Sequence, residues 1–413
     1  MQRIWGLGTL FLALAWAVAA HAADPIKIGF SMALTGGLAP NGKSALLAMQ
    51  IWESDINAKG GLLGRPVKLV YYDDQSQPNT VPAIYTKLLD IDKCDLVVGP
   101  YATAQIAPAM PIVMQRHLAF ITLLGLAVND QFHYDGYFQI APSGPHAAAD
   151  FSKGFFQVAE QQNPKPKTIA YAYADQEYSH AAEEGAVANA KSLGLKTVYE
   201  KSYPPTTTDF TPIVRAIKAV DPDILLIASY PPDSVGMVRA IHEVDIQPKM
   251  VGGAMVGLQS TAIKVQLGPL LNGIINYDFW LPGKTMEFPG VMELIKRYQA
   301  KAEAQGVDPL GYYMVPFAYA YLQVLGDAVE ATKGLDQEKL IAYMHKTTFK
   351  TVAGDVKFGA DGEWAESRML DVQYQHVVGN DVAQFRNPKS TVILTPAKYK
   401  DGKVIYPYVD ALN

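Results

Sequence analysis

Hydrophobic and polar positions along the chain fall into a repeating rhythm. Short apolar runs at residues 27–32 (KIGFSM), 67–72 (VKLVYY) and 95–99 (DLVVG) are each followed by a stretch whose apolar positions recur at helical spacing. In the first such stretch, residues 43–58, the apolar set is Leu46, Leu47, Met49, Ile51, Trp52 and Ile56, and Gly60 and Gly61 stop the helix. Helices over 80–89 and 103–115 and a strand over 118–122 complete the series. A second series has strands at 168–173, 196–201 and 223–227, helices at 179–193, 210–220 and 234–244, and short strands near Met250 and at 273–276. Strands alternating with helices of about 10–15 residues predict βαβ crossovers and a parallel sheet flanked by helices. Two such series predict two similar lobes.

Amphipathic helices over 289–304 and 313–332 follow, where two independent domains would already have ended. The chain is therefore expected to cross back to the first lobe, and a β-rich tail from about Met369 to recross to the second. The resulting division is an N-terminal lobe of 23–142 plus 280–365 and a C-terminal lobe of 143–279 plus 366–413, joined by a multi-crossover hinge. Open α/β sheets bind ligands outside the carboxyl ends of their strands, so the cleft between the lobes is the expected site.

The first residues read differently. One positive charge at Arg3 precedes an almost wholly apolar stretch to Ala20, and Ala20-His21-Ala22 has the small-x-small pattern of a leader-peptidase site. Residues 1–22 are expected to be a secretory signal, cleaved before Ala23. The apolar stretch is short for a membrane anchor, which wants about 20 residues. The single cysteine, Cys94, lies far from the cleavage site, so no lipid anchor is expected. The expected location is an extracytoplasmic space, most simply a periplasm.

Composition narrows the function. With 49% hydrophobic residues and 33 Gly and 27 Pro scattered along 413 positions, collagen-like and disordered readings are excluded. A net charge of -5 supplies no basic field, so nucleic acid is not an expected partner. One cysteine cannot form an internal disulfide. The histidines never fall at metal-ligand spacing, and H-E-x-x-H, C-x-x-C and G-x-S-x-G are all absent. No metal, cofactor or catalytic residue is expected.

One motif points elsewhere. Residues 37–44 (GLAPNGKS) match G-x-x-x-x-G-K-[ST] between a strand and a helix, and the next strand ends in Asp73 and Asp74. That is the pattern of a phosphate-cradling loop with a magnesium carboxylate. Against it, Pro40 removes a backbone donor, residues 33–36 lengthen the connection, and an exported chain meets little nucleotide. A nucleotide-binding enzyme is thus the remote alternative, with Lys43 expected to be a solvated lysine.

The order of residues resembles the solute-binding proteins of ABC importers of the branched-chain amino acid type. The resemblance is strongest over residues 26–78, in the T-G loop, the helix ending D-I-N-A-K-G-G and the strand start G-R-P-V, and continues in D-L-V-V-G-P before Thr103, D-Q-E-Y at 175–178 and A-S-Y-P-P at 228–232. It implies the type I periplasmic binding fold: two Rossmann-like lobes closing on a small ligand, presented to a membrane permease, with a monomer as the default. It also implies that Thr103 and the first N–H groups of its helix hold a ligand carboxylate, since a helix N-terminus carries partial positive charge and free donors. Backbone around Leu124 and Leu126 would form the facing wall, and Tyr178 and Tyr230 would close from the second lobe. Asn41 and Tyr313 are further candidates.

Where amino-acid binders of this type neutralise the α-ammonium with a threonine and a carboxylate, this sequence has Leu126 and Ala254. Burying an ammonium without acceptor or counter-charge costs several kcal/mol, comparable with a micromolar binding energy of about 8 kcal/mol. With Leu124, Leu126 and Met255 adding apolar surface, the expected ligand is a small carboxylate with an apolar or aromatic body, an aromatic acid or 2-oxo acid. Branched-chain or other amino acids, with Asp130 or Asp233 as counter-charge, and amides remain open, as does a periplasmic sensor role. We predict that protein recovered from the periplasm begins at Ala23; intact-mass measurement checks this, and a retained residue 1 would refute it.

Overall fold

Strand β1 (Ile26–Met32) is buried along almost its whole length, as a parallel strand covered by helices on both faces must be. It lies between β2 (Val67–Asp73) and β3 (Leu96–Val97), both parallel to it. Past β3, the Gly99 N–H donates to Ile121 O at 2.7 Å and Tyr101 bridges Leu123, which brings in β4 (Phe120–Thr122) and its parallel neighbour β5 (Tyr137–Gln139). Helices α1 (Ala39–Ala58), α2 (Val81–Asp90), α3 (Thr103–Gln115) and the short α4 (Asn129–Phe132) make the connections. This computed structural model describes residues 24–386 and 389–412, so the expected signal segment lies outside the described residues.

After α5 (Ala147–Glu160) the pattern repeats: β6 (Thr168–Ala174), α6 (Glu177–Ser192), β7 (Lys196–Tyr203), α7 (Thr211–Lys218), β8 (Ile224–Ser229), α8 (Pro231–Val244), β9 (Met250–Met255), α9 (Thr261–Leu267) and β10 (Ile275–Asp278). The chain then leaves this sheet for α10 (Val291–Ala302), α11 (Val315–Thr332), α12 (Gln337–Lys346) and the hairpin β11 (Thr348–Thr351) and β12 (Gly354–Lys357). Both α10 and α11 pack on α1, where the Arg297 guanidinium grips Asp55 through two hydrogen bonds and Tyr319 donates to the same carboxylate at 2.8 Å. Finally β13 (Leu370–Tyr374) and β14 (Thr391–Thr395) join the second sheet antiparallel, giving the order β14-β13-β10-β9-β8-β6-β7.

The fold is therefore α/β with two Rossmann-like lobes, and the chain passes between their sheets three times: after β5, after β10 and after β12. The sequence did not announce α5, α12, β5 or the β11–β12 hairpin. One residue touches all three crossings. Arg368 donates its backbone N–H to Pro142 O at 2.9 Å, stacks its guanidinium on Phe288 at 4.8 Å and on Trp364 at 4.7 Å, and donates Nη2 to Ala353 O. Among the described residues no helix is long and apolar enough to cross a membrane.

The phosphate-loop pattern dissolves on inspection. Helix α1 starts at Ala39, four positions before the expected start, with Pro40 in its first turn. The N–H groups of Asn41 and Gly42 are both spent on Leu38 O at 3.1 and 3.0 Å, so they cradle nothing. Gly42 is needed for contact instead: a Cβ there would stand 2.0 Å from Ala33 O. Lys43 is exposed, while Ser44 is buried and accepts from Tyr298 Oη at 2.9 Å. Asp73 accepts the N–H groups of Leu34, Thr35 and Gln75, and Asp74 accepts from Ser31 and Ser76. Both carboxylates thus tie down the loop after β1. We predict that Gly42→Ala destabilises the protein by about 2 kcal/mol through overpacking, while Lys43→Ala changes stability by less than about 0.5 kcal/mol. Urea unfolding measures both, and the packing role fails if Gly42→Ala is silent.

Candidate functional site

The carboxyl ends of both sheets converge on one narrow cavity. Leu38 comes from the loop after β1, Tyr101 to Thr103 from the end of β3, and Leu124 to Leu126 from the turn after β4. The other wall is built by Tyr178 at the start of α6, Tyr230 just before α8, Val256 after β9, and Tyr277 and Phe279 around the end of β10. Phe151 of α5 and Tyr313, which precedes α11, complete it. Placement at strand ends follows from topology: parallel strands end on one side, and the turns there face the opposing lobe.

Seven of the fourteen lining residues are aromatic and none is charged. The rings form a continuous box. Tyr178 meets Tyr230 and Phe151 edge-on at 5.8 Å each, and Phe279 stacks on Tyr313 at 5.4 Å with an interplanar angle of 17°. Edge-on and offset contacts of this kind are the favoured ones. The Tyr277 and Tyr313 hydroxyls lie 3.3 Å apart, and Tyr178 donates to Ala254 O at 3.1 Å. Burial raises the pKa of Tyr101 to about 12 and those of Tyr178, Tyr277 and Tyr313 well above the usual phenol range, so all remain neutral. The Tyr230 hydroxyl is buried with no hydrogen-bond partner.

The polar end of the cavity is the start of α3. The N–H groups of Gln105 and Ile106 both go to Ala102 O, leaving those of Thr103 and Ala104 without an intrahelical acceptor. Thr103 Oγ1 accepts the Leu126 N–H at 3.0 Å, which fixes the β4 turn against the helix and leaves the hydroxyl proton to donate. Ala102 sits at φ 81°, ψ 146°, a region that side chains strongly disfavour, and Leu124 and Ala127 also have positive φ, at 52° and 53°. Ala102 and Leu124 in the lining, with Ala127 just outside it, mark a wall fixed by its surroundings.

Of the residues singled out from the sequence, Thr103, Leu124, Leu126, Tyr178, Tyr230 and Tyr313 line the cavity. Asn41 stands one layer behind, donating to Tyr101 Oη at 2.9 Å, and Ala254 reaches the site only through its carbonyl. Met255 is buried outside the lining. Asp233 accepts from Tyr203 Oη at 2.7 Å and from the Tyr230 N–H at 3.1 Å, so it caps α8 rather than facing the cavity. Asp130 lines a separate outer space of about 1120 Å³ together with Glu177, His180 and Glu184, which shares Thr103 and Leu126 with the inner cavity. Burial raises the pKa of both Asp130 and Glu177. Leu38, Tyr101, Phe151, Val256, Tyr277 and Phe279 escaped the sequence reading. Only Tyr101, next to Gly99-Pro100 at a predicted strand end, carried a usable signal.

The model of the periplasmic binding protein family matches residues 25–376. The chain belongs to the periplasmic binding protein family. This periplasmic binding protein is 25% identical over 390 residues to Leu/Ile/Val-binding protein homolog 8 of Brucella abortus, covering 91% of this chain and 94% of that one. Its fold matches a leucine-binding protein from Thermotoga maritima with a TM-score of 0.73 at 18% identity, over 90% of this chain and 98% of the other. A solute-binding protein of an ABC transporter from R. palustris, in complex with benzoate, matches with a TM-score of 0.72 at 15% identity, over 90% and 96% of the two chains. The fold is thus the type I periplasmic binding fold. Among the described residues, no group of His, Cys, Asp and Glu is placed to hold a metal ion. We predict that Ala102→Gly, by relieving the positive φ at the cavity wall, stabilises the protein by about 1 kcal/mol; thermal unfolding checks it, and a loss of stability would show that the Ala102 conformation is unstrained.

Proposed function

We propose that this binding protein captures a small carboxylate with an apolar or aromatic body, an aromatic acid or 2-oxo acid, and delivers it as a periplasmic monomer to a membrane permease. The observation that carries the reading is the lining itself: five tyrosines, two phenylalanines and a helix N-terminus, without a charged side chain. The free N–H groups and hydroxyl at Thr103 would hold the carboxylate, with Leu124 and Leu126 against its body and Tyr178, Tyr230 and Tyr313 closing around it. Asn41 would act through Tyr101, and Ala254 through Tyr178. The two lobes, taken as 23–142 plus 280–365 and 143–279 plus 366–413, would close by hinge motion and trap the ligand. Benzoate in the R. palustris neighbour, and 3,4-dihydroxybenzoic acid in a solute-binding protein from R. palustris BisB5, support an aromatic acid.

A second reading has its own observation. The curated relatives are named Leu/Ile/Val-binding proteins, and the outer space offers Asp130, Glu177 and Glu184. An amino acid would bind only if its ammonium reached that space past Thr103 and Leu126.

A thermal-shift screen of the mature protein against aromatic acids, 2-oxo acids, amino acids and amides separates the two. A true ligand at a hundredfold excess over Kd adds about 2.7 kcal/mol of stability. Aromatic or 2-oxo acids are expected to give the largest shift, and a larger one from leucine or another amino acid would overturn the choice. For the best ligand, Tyr230→Ala is expected to weaken binding at least tenfold in calorimetry, and Thr103→Val to lower affinity more than stability. Unchanged affinity in the first, or equal losses in the second, would remove that residue from the site.

A further inference from the structure

One carboxylate ties together parts of the chain that belong to different sheets. Helix α9 begins at Thr261 and lies between β9 and β10 of the second sheet, while Asp308 lies between α10 and α11, which pack on α1 beside the first. Asp308 Oδ2 accepts the Thr261 N–H at 2.7 Å, and Oδ1 accepts the Thr261 hydroxyl at 2.8 Å. Hydrogen bonds to a carboxylate are stronger than those between neutral groups.

The same side chain is fixed from its own side. Oδ1 also accepts the N–H groups of Leu310 and Gly311 at 3.0 and 2.8 Å, closing a turn in which Gly311 takes φ 70° and which leads straight to Tyr313 of the cavity lining. In α9, Lys264 is 5% exposed; burial lowers its pKa, while the carboxylates of Asp278 and Asp308 support its charge. The joint thus lies a few residues from two parts of the lining, Val256 before α9 and Tyr313 after the turn, yet neither Thr261 nor Asp308 lines the cavity.

Other approaches between the walls are weaker. Arg386, between β13 and β14, donates to Gln299 Oε1 of α10 at 2.8 Å, but that bond is exposed. In the outer space the walls present like charges, Asp130 of α4 and Glu184 of α6, which disfavour each other.

We propose that Asp308 is a clasp between the two lobes: its bonds to Thr261 are made only when the cleft is shut, and they hold it shut in addition to whatever the ligand contributes. The inference rests on the hinge closure proposed for this protein. Asp308 is then a positioning residue set apart from the ligand, and it shifts the balance of open and closed forms by as much as its bonds differ between them.

The test is the distance between spin labels on cysteines introduced by Gln131→Cys in α4 and Ala188→Cys in α6, positions on the two walls of the outer space; the native Cys94 is buried. Distances are recorded by pulsed electron spin resonance without ligand, with benzoate and with leucine. The parent is expected to show a short-distance, closed population in at least one of these conditions. Asp308→Asn can keep its oxygen on the Leu310 and Gly311 N–H groups but sets an amide donor against the Thr261 N–H, and should lower the ratio of closed to open molecules there by about tenfold. Thr261→Val, which removes only the hydroxyl bond, should move the ratio the same way by less, and Lys43→Ala, at an exposed position, should leave it unchanged. The proposal is overturned if the parent shows no closed population in any condition, or if Asp308→Asn keeps the parent's ratio throughout, even with a lower melting temperature. Closure by leucine alone would overturn the aromatic-acid reading and leave the clasp standing.

Discussion

Taking a full charge out of water without a partner is the expense around which this molecule is arranged. In the cleft it is avoided altogether. The cavity is lined by phenols, phenyl rings and aliphatic groups, and its polarity comes from peptide dipoles at the start of α3 together with hydroxyl groups. A dipole of this kind can receive an anion while being neutral in the empty site, so the unliganded cavity bears no stranded charge. Asp233 caps α8, Asp73 and Asp74 brace the loop after β1, and Asp130 and Glu177 stand in the adjoining outer space rather than in the lining. Where a carboxylate is buried all the same, as Asp371 of β13 is, burial raises its pKa to about 7 and disfavours the charged form.

Chain topology turns this chemistry into a device with two halves. The return of α10 and α11 to α1, fixed by the Arg297–Asp55 pair, means that neither lobe is a continuous stretch of sequence. Three connections run between the sheets, and the aromatic lining is contributed by residues on both sides of them.

Much of this was legible in the sequence, for physical reasons that can be named. The parallel strands are near-continuous apolar runs because both faces are covered, and α3 shows the limits that its Thr103 start suggested. Thr103, Leu124, Leu126, Tyr178 and Tyr230 could be singled out through the resemblance to branched-chain amino acid binding proteins, and each follows shortly after a strand. The start of α1 was misplaced because Pro40 and Gly42 look like loop residues, although proline is at home in a first helical turn and Gly42 answers to Ala33 O across space. Phe151, Tyr277 and Phe279 were hidden for a different reason. Phe151 points out of a helix that no strand end predicts, and Tyr277 and Phe279 face the cavity from the far end of a long series of crossovers. Their neighbours in space are Tyr178 and Tyr313, far away in sequence, and no local periodicity encodes that.

The stack of Phe279 on Tyr313 and the adjacent Tyr277–Tyr313 hydroxyl contact join β10, an interior strand of the second sheet, to the segment leading into α11 of the first lobe. These rings line the cavity and join its two walls. A guest held between the walls would leave only when the ring contacts part. Contacts that a guest makes to both walls at once stabilise the closed form, so a tighter guest would also slow the opening, and residence time would lengthen with affinity.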